Sequence, residues 1–192
     1  ESSRIRFKPW PACTITQSYI EATIGLCRDH DIKPEDVRRV NAYIGEFGLP
    51  LCEPLAGRRK PATTLDAKFS IPFTVAAAIA RRDVVIADYT AEGLRNAEVL
   101  ALAEKVVPVL RPEMKKYSDI YPCDIEIETS RGHFRRQVDE PYGHPKKPMS
   151  MDSLIGKFRD CAQYSATPLG NAKIERAVER SEEHTSELQS RL

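Results

Sequence analysis

Four side chains in this sequence combine reactive chemistry with a constrained setting: Lys8, Cys13, Lys68 and His144. Lys8 opens Lys-Pro-Trp-Pro, where each proline fixes its own φ and biases the residue before it toward extended backbone, so the amine is mounted on a stiff segment. Lys68 lies just ahead of Ser70–Ala80, a stretch that passes Pro72 and then stays apolar. Ser70 suits a helix cap and Pro72 a first turn, and an almost wholly apolar helix is a buried one. A cation at the mouth of such a helix suits a bound anion; an ordinary surface lysine beside a helix start reads the same. His144 sits in the turn Tyr142-Gly143-His144-Pro145, within reach of a site, although a hydrogen-bonded surface histidine is the simpler reading. The five cysteines, Cys13, Cys27, Cys52, Cys123 and Cys161, are scattered without a C-x-x-C pair. That spacing argues against a disulfide framework or a structural zinc site and for buried thiols in a reducing cytoplasm, with Cys13 kept open. No phosphate-cradling glycine loop, Ser-His-Asp arrangement or H-E-x-x-H occurs.

The elements that must position these groups follow from periodicity. Apolar residues from about Thr14 to His30 fall at helical spacing, Asp31–Asp36 breaks the helix, and Val40, Ala42 and Ile44 alternate as in a half-buried strand. Gly45–Thr64, rich in proline and glycine, reads as a long loop whose Arg58-Arg59-Lys60 run forms a solvated face. The helix after Ser70 should end near Arg81-Arg82, cations that suit its negative end. Val84–Ala87 reads as an apolar link, Asn96 as the cap of a second helix, and Val106–Leu110 as a strand. Cys123–Thr129 and His133–Asp139 read as a β-hairpin around Arg131-Gly132, its acidic strand facing Arg135 and Arg136. Pro141–Pro148 reads as a loop, Ser150 as the cap of a helix burying Leu154, Ile155, Phe158, Cys161 and Ala162, and Asn171 as the start of a short last helix. His30 is assigned to a helix end and His133 to the hairpin. The class is α+β, an antiparallel sheet with helices packed on it.

The chain has 192 residues, 41% of them hydrophobic and 30% charged, with a formal net charge of +1. These values suit a globular domain and suggest neither a nucleic-acid nor a membrane partner. The apolar run Val75–Ala80 is too short to span a bilayer, and no signal-peptide layout occurs. Because the chain starts at Glu1 in what reads as the end of a strand (Ile5–Phe7), it is expected to be a piece of a longer protein. Residues 181–192 follow Arg180 with a run that reads like the translation of a common DNA-sequencing adapter. They are set aside as a non-native tail, His184 with them, and residues 1–180 are treated as the domain. Removing Glu182, Glu183, Glu187 and Arg191 leaves 28 basic against 25 acidic residues, a balance of +3.

Three segments together resemble a known family. Asp66-Ala67-Lys68-Phe69-Ser70-Ile71-Pro72-Phe73 is similar to the "DAKFSLPY" signature of the MmgE/PrpD family, and Lys8-Pro9-Trp10-Pro11-Ala12-Cys13 resembles its "KPYPSC". Pro141–Pro145, continuing through Pro148-Met149-Ser150 to Lys157-Phe158, resembles "G-x-P-x-x-P-L-S…KF". The resemblance covers about residues 5–165 and implies the family's C-terminal α+β domain, with a missing N-terminal helical domain and a homodimeric, cytoplasmic enzyme. It implies chemistry on small di- or tricarboxylates without metal or organic cofactor: loss of water, carbon dioxide or a proton beside carboxylates. Such reactions need cations to hold carboxylates and enolate-like charge, plus a general acid or base.

By the same resemblance Lys8 and Cys13 are catalytic candidates, and Lys68, Gln17, Phe73 and His144 line the substrate. Cys13 stands where decarboxylase relatives carry histidine, which counts against cis-aconitate decarboxylation. Gln17 replaces a usual histidine and cannot shuttle a proton. Phe73 replaces a usual tyrosine and lacks its hydroxyl. The expected reaction is dehydration of a 2-methylcitrate-like hydroxy-tricarboxylate by the full-length protein. Epimerisation or isomerisation of a small dicarboxylate and decarboxylation are the alternatives within enzymes, and a packing or dimerisation module is the alternative outside them.

Overall fold

The computed structural model describes residues 6–117, 120–167 and 169–189; Ile5 lies outside them, as do the side chains of residues 182–189, among them His184. Two compact units divide the chain, Glu1–Met149 and Ser150–Leu192.

The larger unit is a four-stranded sheet with helices on one face. Its elements are α1 (Thr16–Asp29), β1 (Val37–Ile44), α2 (Leu55–Arg59), α3 (Thr64–Lys68), α4 (Ile71–Arg81), α5 (Ala97–Glu104), β2 (Val106–Leu110), β3 (Cys123–Thr129) and β4 (Gly132–Val138). Strand order is β2-β1-β3-β4. The sheet is mixed rather than antiparallel: β1 and β2 run parallel, Val40 opposite Val106, while β3 pairs antiparallel with both β1 and β4. A parallel neighbour requires a crossover, which α2 to α5 supply. The stretch expected to be a structureless loop therefore carries a 3-10 turn over Glu46–Leu51, then α2 and the start of α3, with Leu51 and Cys52 buried. Nor is the basic run simply a solvated face. The Arg59 guanidinium donates to the Val106 carbonyl at 2.7 Å and reaches Glu104 at 3.2 Å, holding α2 against the start of β2.

Alternation sorts the sheet faces. Val40, Ala42, Ile44, Ile125 and Ile127 join the core with α1 and α4, leaving Asn41, Tyr43, Asp124, Glu126 and Arg135 on the other face. All of Ile71–Ile79 is buried, as the alanine-rich sequence requires, because small side chains let neighbours approach closely. Ser70 caps α4 by accepting from the Phe73 N–H at 3.0 Å, and Asn96 caps α5 by accepting from Val99 at 3.1 Å. Of the two hairpin arginines, Arg135 pairs across the strands, donating to both oxygens of Asp124 at 2.9 and 2.5 Å. Arg136 falls on the helix side by the same alternation and reaches Asp29 of α1 instead.

In the smaller unit, α6 (Met151–Gln163) is capped by Ser150, whose Oγ accepts from Ser153, and α7 spans Asn171–Gln189. Arg159 of α6 forms a two-point contact with Glu175 of α7 at 2.9 and 2.6 Å. Of the face expected to be buried on α6, only Ala162 is; Phe158 and Cys161 are exposed. The last helix is also longer than the short one expected, since Ser-Glu-Leu-Gln continues helix as readily as the residues before it.

Candidate functional site

Stretches of the three motif segments that lie in the larger unit, far apart in sequence, meet around the first turns of α1. Helix geometry places Gln17 and Glu21, four residues apart, on one face. The Gln17 side chain is 1% exposed and turned back on the Lys-Pro-Trp-Pro-Ala-Cys segment. Its Oε1 accepts from the Trp10 N–H at 3.3 Å, and its Nε2 lies 3.2 Å from each of the Trp10, Ala12 and Cys13 carbonyls. Glu21 accepts from the Tyr142 N–H at 2.6 Å and pairs with Lys147, anchoring the Pro141–Pro148 turn on the same helix.

Main-chain bonds then join the segments to one another. Cys13 N–H donates to the Lys68 carbonyl at 2.9 Å, and Phe7 N–H to the Gly143 carbonyl at 3.1 Å. Gly143 has φ 88° (left-handed), and a Cβ there would lie 2.0 Å from the Phe7 carbonyl oxygen. Glycine is required by both the torsion and the contact. The indole of Trp10 donates to Asp83 at 3.0 Å, fixing the segment from its other side.

The candidate residues occupy different positions in this junction. Lys8 is exposed, its ammonium donating to the Ala12 carbonyl at 3.3 Å, one residue before Cys13, which is half-buried. Lys68 ends α3, a helix capped by Thr63, and its half-buried ammonium sits 5.7 Å from the centre of the Tyr89 ring. His144 is half-buried, and its Nδ1 accepts from the Lys146 N–H at 3.2 Å. Two candidates differ from their expected placement. Gln17 is a brace whose amide is occupied by the main chain, and Phe73 is fully buried in the core, its ring 6.2 Å from Tyr89. Neither presents a side chain to an accessible surface.

Tyr89, Glu21 and Asp83 received no role from the sequence. Tyr89 is 2% exposed, and its hydroxyl has no hydrogen-bond partner among the described residues, leaving a buried polar group beside Phe73 and under Lys68. Burial raises its pKa well above that of a free phenol, so the hydroxyl stays protonated and able to donate. Nothing local in the sequence marks it. Glu21 was legible in principle, because a carboxylate four residues from Gln17 shares its helix face.

On the far face of the sheet, ligand atoms of Glu126, Glu128 and His133 lie within 4.8 Å of one another. The Asn41 amide already donates to both carboxylates, at 3.2 and 2.9 Å, which accounts for their proximity without a cation. Among the described residues no helix is long and apolar enough to cross a membrane.

The class of the larger unit is thus an α+β domain in which stretches far apart in sequence are joined by main-chain bonds beside the first turns of α1. Residues 10–183 match the family model "MmgE/PrpD C-terminal domain", and the chain belongs to that family. It is also similar to cis-aconitate decarboxylase of Mus musculus, 25% identical over 157 residues, which are 81% of this chain and 32% of that protein. The chain thus spans about a third of this relative's length.

Proposed function

We propose that this chain forms one wall of the active site of a lyase acting on a small di- or tricarboxylate, with dehydration of a 2-methylcitrate-like hydroxy-tricarboxylate as its reaction. The single observation that carries the reading is the Cys13–Lys68 main-chain bond, which joins the two lysine-bearing motifs at one junction. In the proposed step a proton leaves the carbon beside a carboxylate and the neighbouring hydroxyl, once protonated, departs as water. Negative charge grows on that carboxylate as the C–H bond breaks, and Lys8 and Lys68 are assigned to hold it. Cys13, half-buried between them in sequence, is assigned to proton transfer, and His144 to orienting a distal carboxylate. Gln17 keeps the Lys8–Cys13 segment in register and Phe73 closes the floor, so both act through other residues.

The remaining acid–base equipment is assigned to a helical domain upstream, and the 192-residue chain alone is expected to be silent. Lys8→Ala in the complete protein should lower kcat/KM on 2-methylcitrate at least about a hundredfold, as expected for a group that binds charge developing in the transition state. The melting temperature should stay unchanged. Equal losses of turnover and stability would instead support a packing module. Because the named relative is a decarboxylase, cis-aconitate belongs in the same assay. Turnover of cis-aconitate without turnover of 2-methylcitrate would replace dehydration by decarboxylation.

A further inference from the structure

We propose a second ligand site, independent of the Lys8–Lys68 reading, on the face of the sheet opposite α1 and α4: a small-oxyanion site organised by Arg111. A cavity of about 550 Å³ opens there, walled by Met114 and Pro122 on its apolar side and by Arg111, Lys115, Arg135 and Gln137 on its polar side. That volume is in the range of small-molecule sites.

Arg111 is positioned twice. Its N–H donates to the Ile44 carbonyl at 2.7 Å, continuing the parallel ladder past the end of β2. Its guanidinium packs on the ring of Tyr43, 4.9 Å from the ring centre. A guanidinium held by its face keeps the in-plane N–H donors of its fork open, which is the geometry that grips a carboxylate or phosphate at two points. Among the described residues no carboxylate pairs with it.

The other charges of the cavity are largely committed. Arg135 packs on the same Tyr43 ring at 4.8 Å but gives its donors to Asp124. Asp139 takes the Gln137 amide at 3.0 Å. Lys115 lies 3.8 Å from Glu46, with both side chains about two-thirds exposed, and the Glu113 carboxylate also lines the cavity. Among the described residues the cation that lines the cavity without a carboxylate partner is therefore Arg111, with Lys115 able to swing toward the same ligand. A small organic acid fits best, its carboxylate on Arg111 and its carbon skeleton against Met114 and Pro122. A phosphate group shares the required oxyanion chemistry.

The test is calorimetric titration of the 192-residue chain at low salt with citrate and, separately, with inorganic phosphate. The wild type is compared with Arg111→Ala, Arg111→Lys and Lys8→Ala, each first checked for an unchanged circular dichroism spectrum. Arg111→Ala should raise Kd for the bound anion at least about tenfold, as expected for loss of a charge-assisted contact. Arg111→Lys, which keeps the charge without the fork, should lose most of the affinity. Lys8→Ala should leave this site's Kd within about twofold. Preference for citrate identifies a carboxylate site and preference for phosphate a phosphate site. No binding of either anion up to about 10 mM, or equal weakening by Arg111→Ala and Lys8→Ala, overturns the proposal.

Discussion

Replacing Gln17 with alanine removes one amide group and with it four contacts to the Lys8–Cys13 segment, at 3.2–3.3 Å. A net hydrogen bond contributes about 0.5–1.5 kcal/mol, and these are long ones, so the expected loss is about 2–4 kcal/mol. The partners left behind are main-chain groups in a stiff, proline-fixed turn, which cannot readily move to find new ones. Trp10 is the only tryptophan and its main chain is held directly by this amide, so its emission reports on the segment while circular dichroism reports on the whole fold. In denaturant, Gln17→Ala should shift both transitions, with the tryptophan signal moving first. Gln17→Glu should be at least as damaging at neutral pH, because it turns a carboxylate oxygen toward three carbonyls. A shift below about 1 kcal/mol for Gln17→Ala refutes the bracing role.

Further outcomes follow from burial and backbone geometry. A thiol reagent added to the native chain should label Cys13 and Cys161 rapidly and the other three only on unfolding, since Cys27, Cys52 and Cys123 are buried. Burial pushes the Cys27 thiol up to about 11 and the Cys52 thiol up to about 12. Fast labelling of a third thiol refutes that packing. Gly143→Ala meets both a left-handed torsion and the Phe7 carbonyl, a strain of about 1–3 kcal/mol. It should lower the melting temperature by about 2 °C or more, and a neutral result refutes the Phe7–Gly143 contact.

Asp88 is buried beside Arg81, and burial raises its pKa more than the Val85 N–H and the Arg81 guanidinium lower it. A raised folded-state value stabilises below the unfolded carboxyl pKa and loses that contribution as pH rises through the folded value. The stability advantage of wild type over Asp88→Asn should therefore shrink from pH 3.5 to pH 7, and a growing advantage would show that the ion pair outweighs burial.

What the sequence disclosed was local. The caps at Ser70, Asn96 and Ser150 each depend on a side chain reaching three residues ahead, so a short window holds all the information. The hairpin around Gly132 was legible for the same reason. The parallel pairing of β1 with β2 was not, because its determinants are separated by the whole α2–α5 crossover. Arg136 shows a signal that was present but unused: strict alternation from Arg135 already places it with the helices. The motif residues were found through resemblance, but which way each points depends on tertiary packing. Gln17 and Phe73 turned inward because the face of α1 bearing Gln17 lies against the preceding segment and α4 is enclosed on all sides.

Because Gln17 and Glu21 occupy successive turns of one helix, a small roll or slide of α1 would drag the amino-terminal motif and the Pro141–Pro148 turn in concert. The helix is in effect a common axle for two loops separated by well over a hundred positions. Any neighbouring domain that pressed on one loop would be felt at the other without a conformational relay through the sheet.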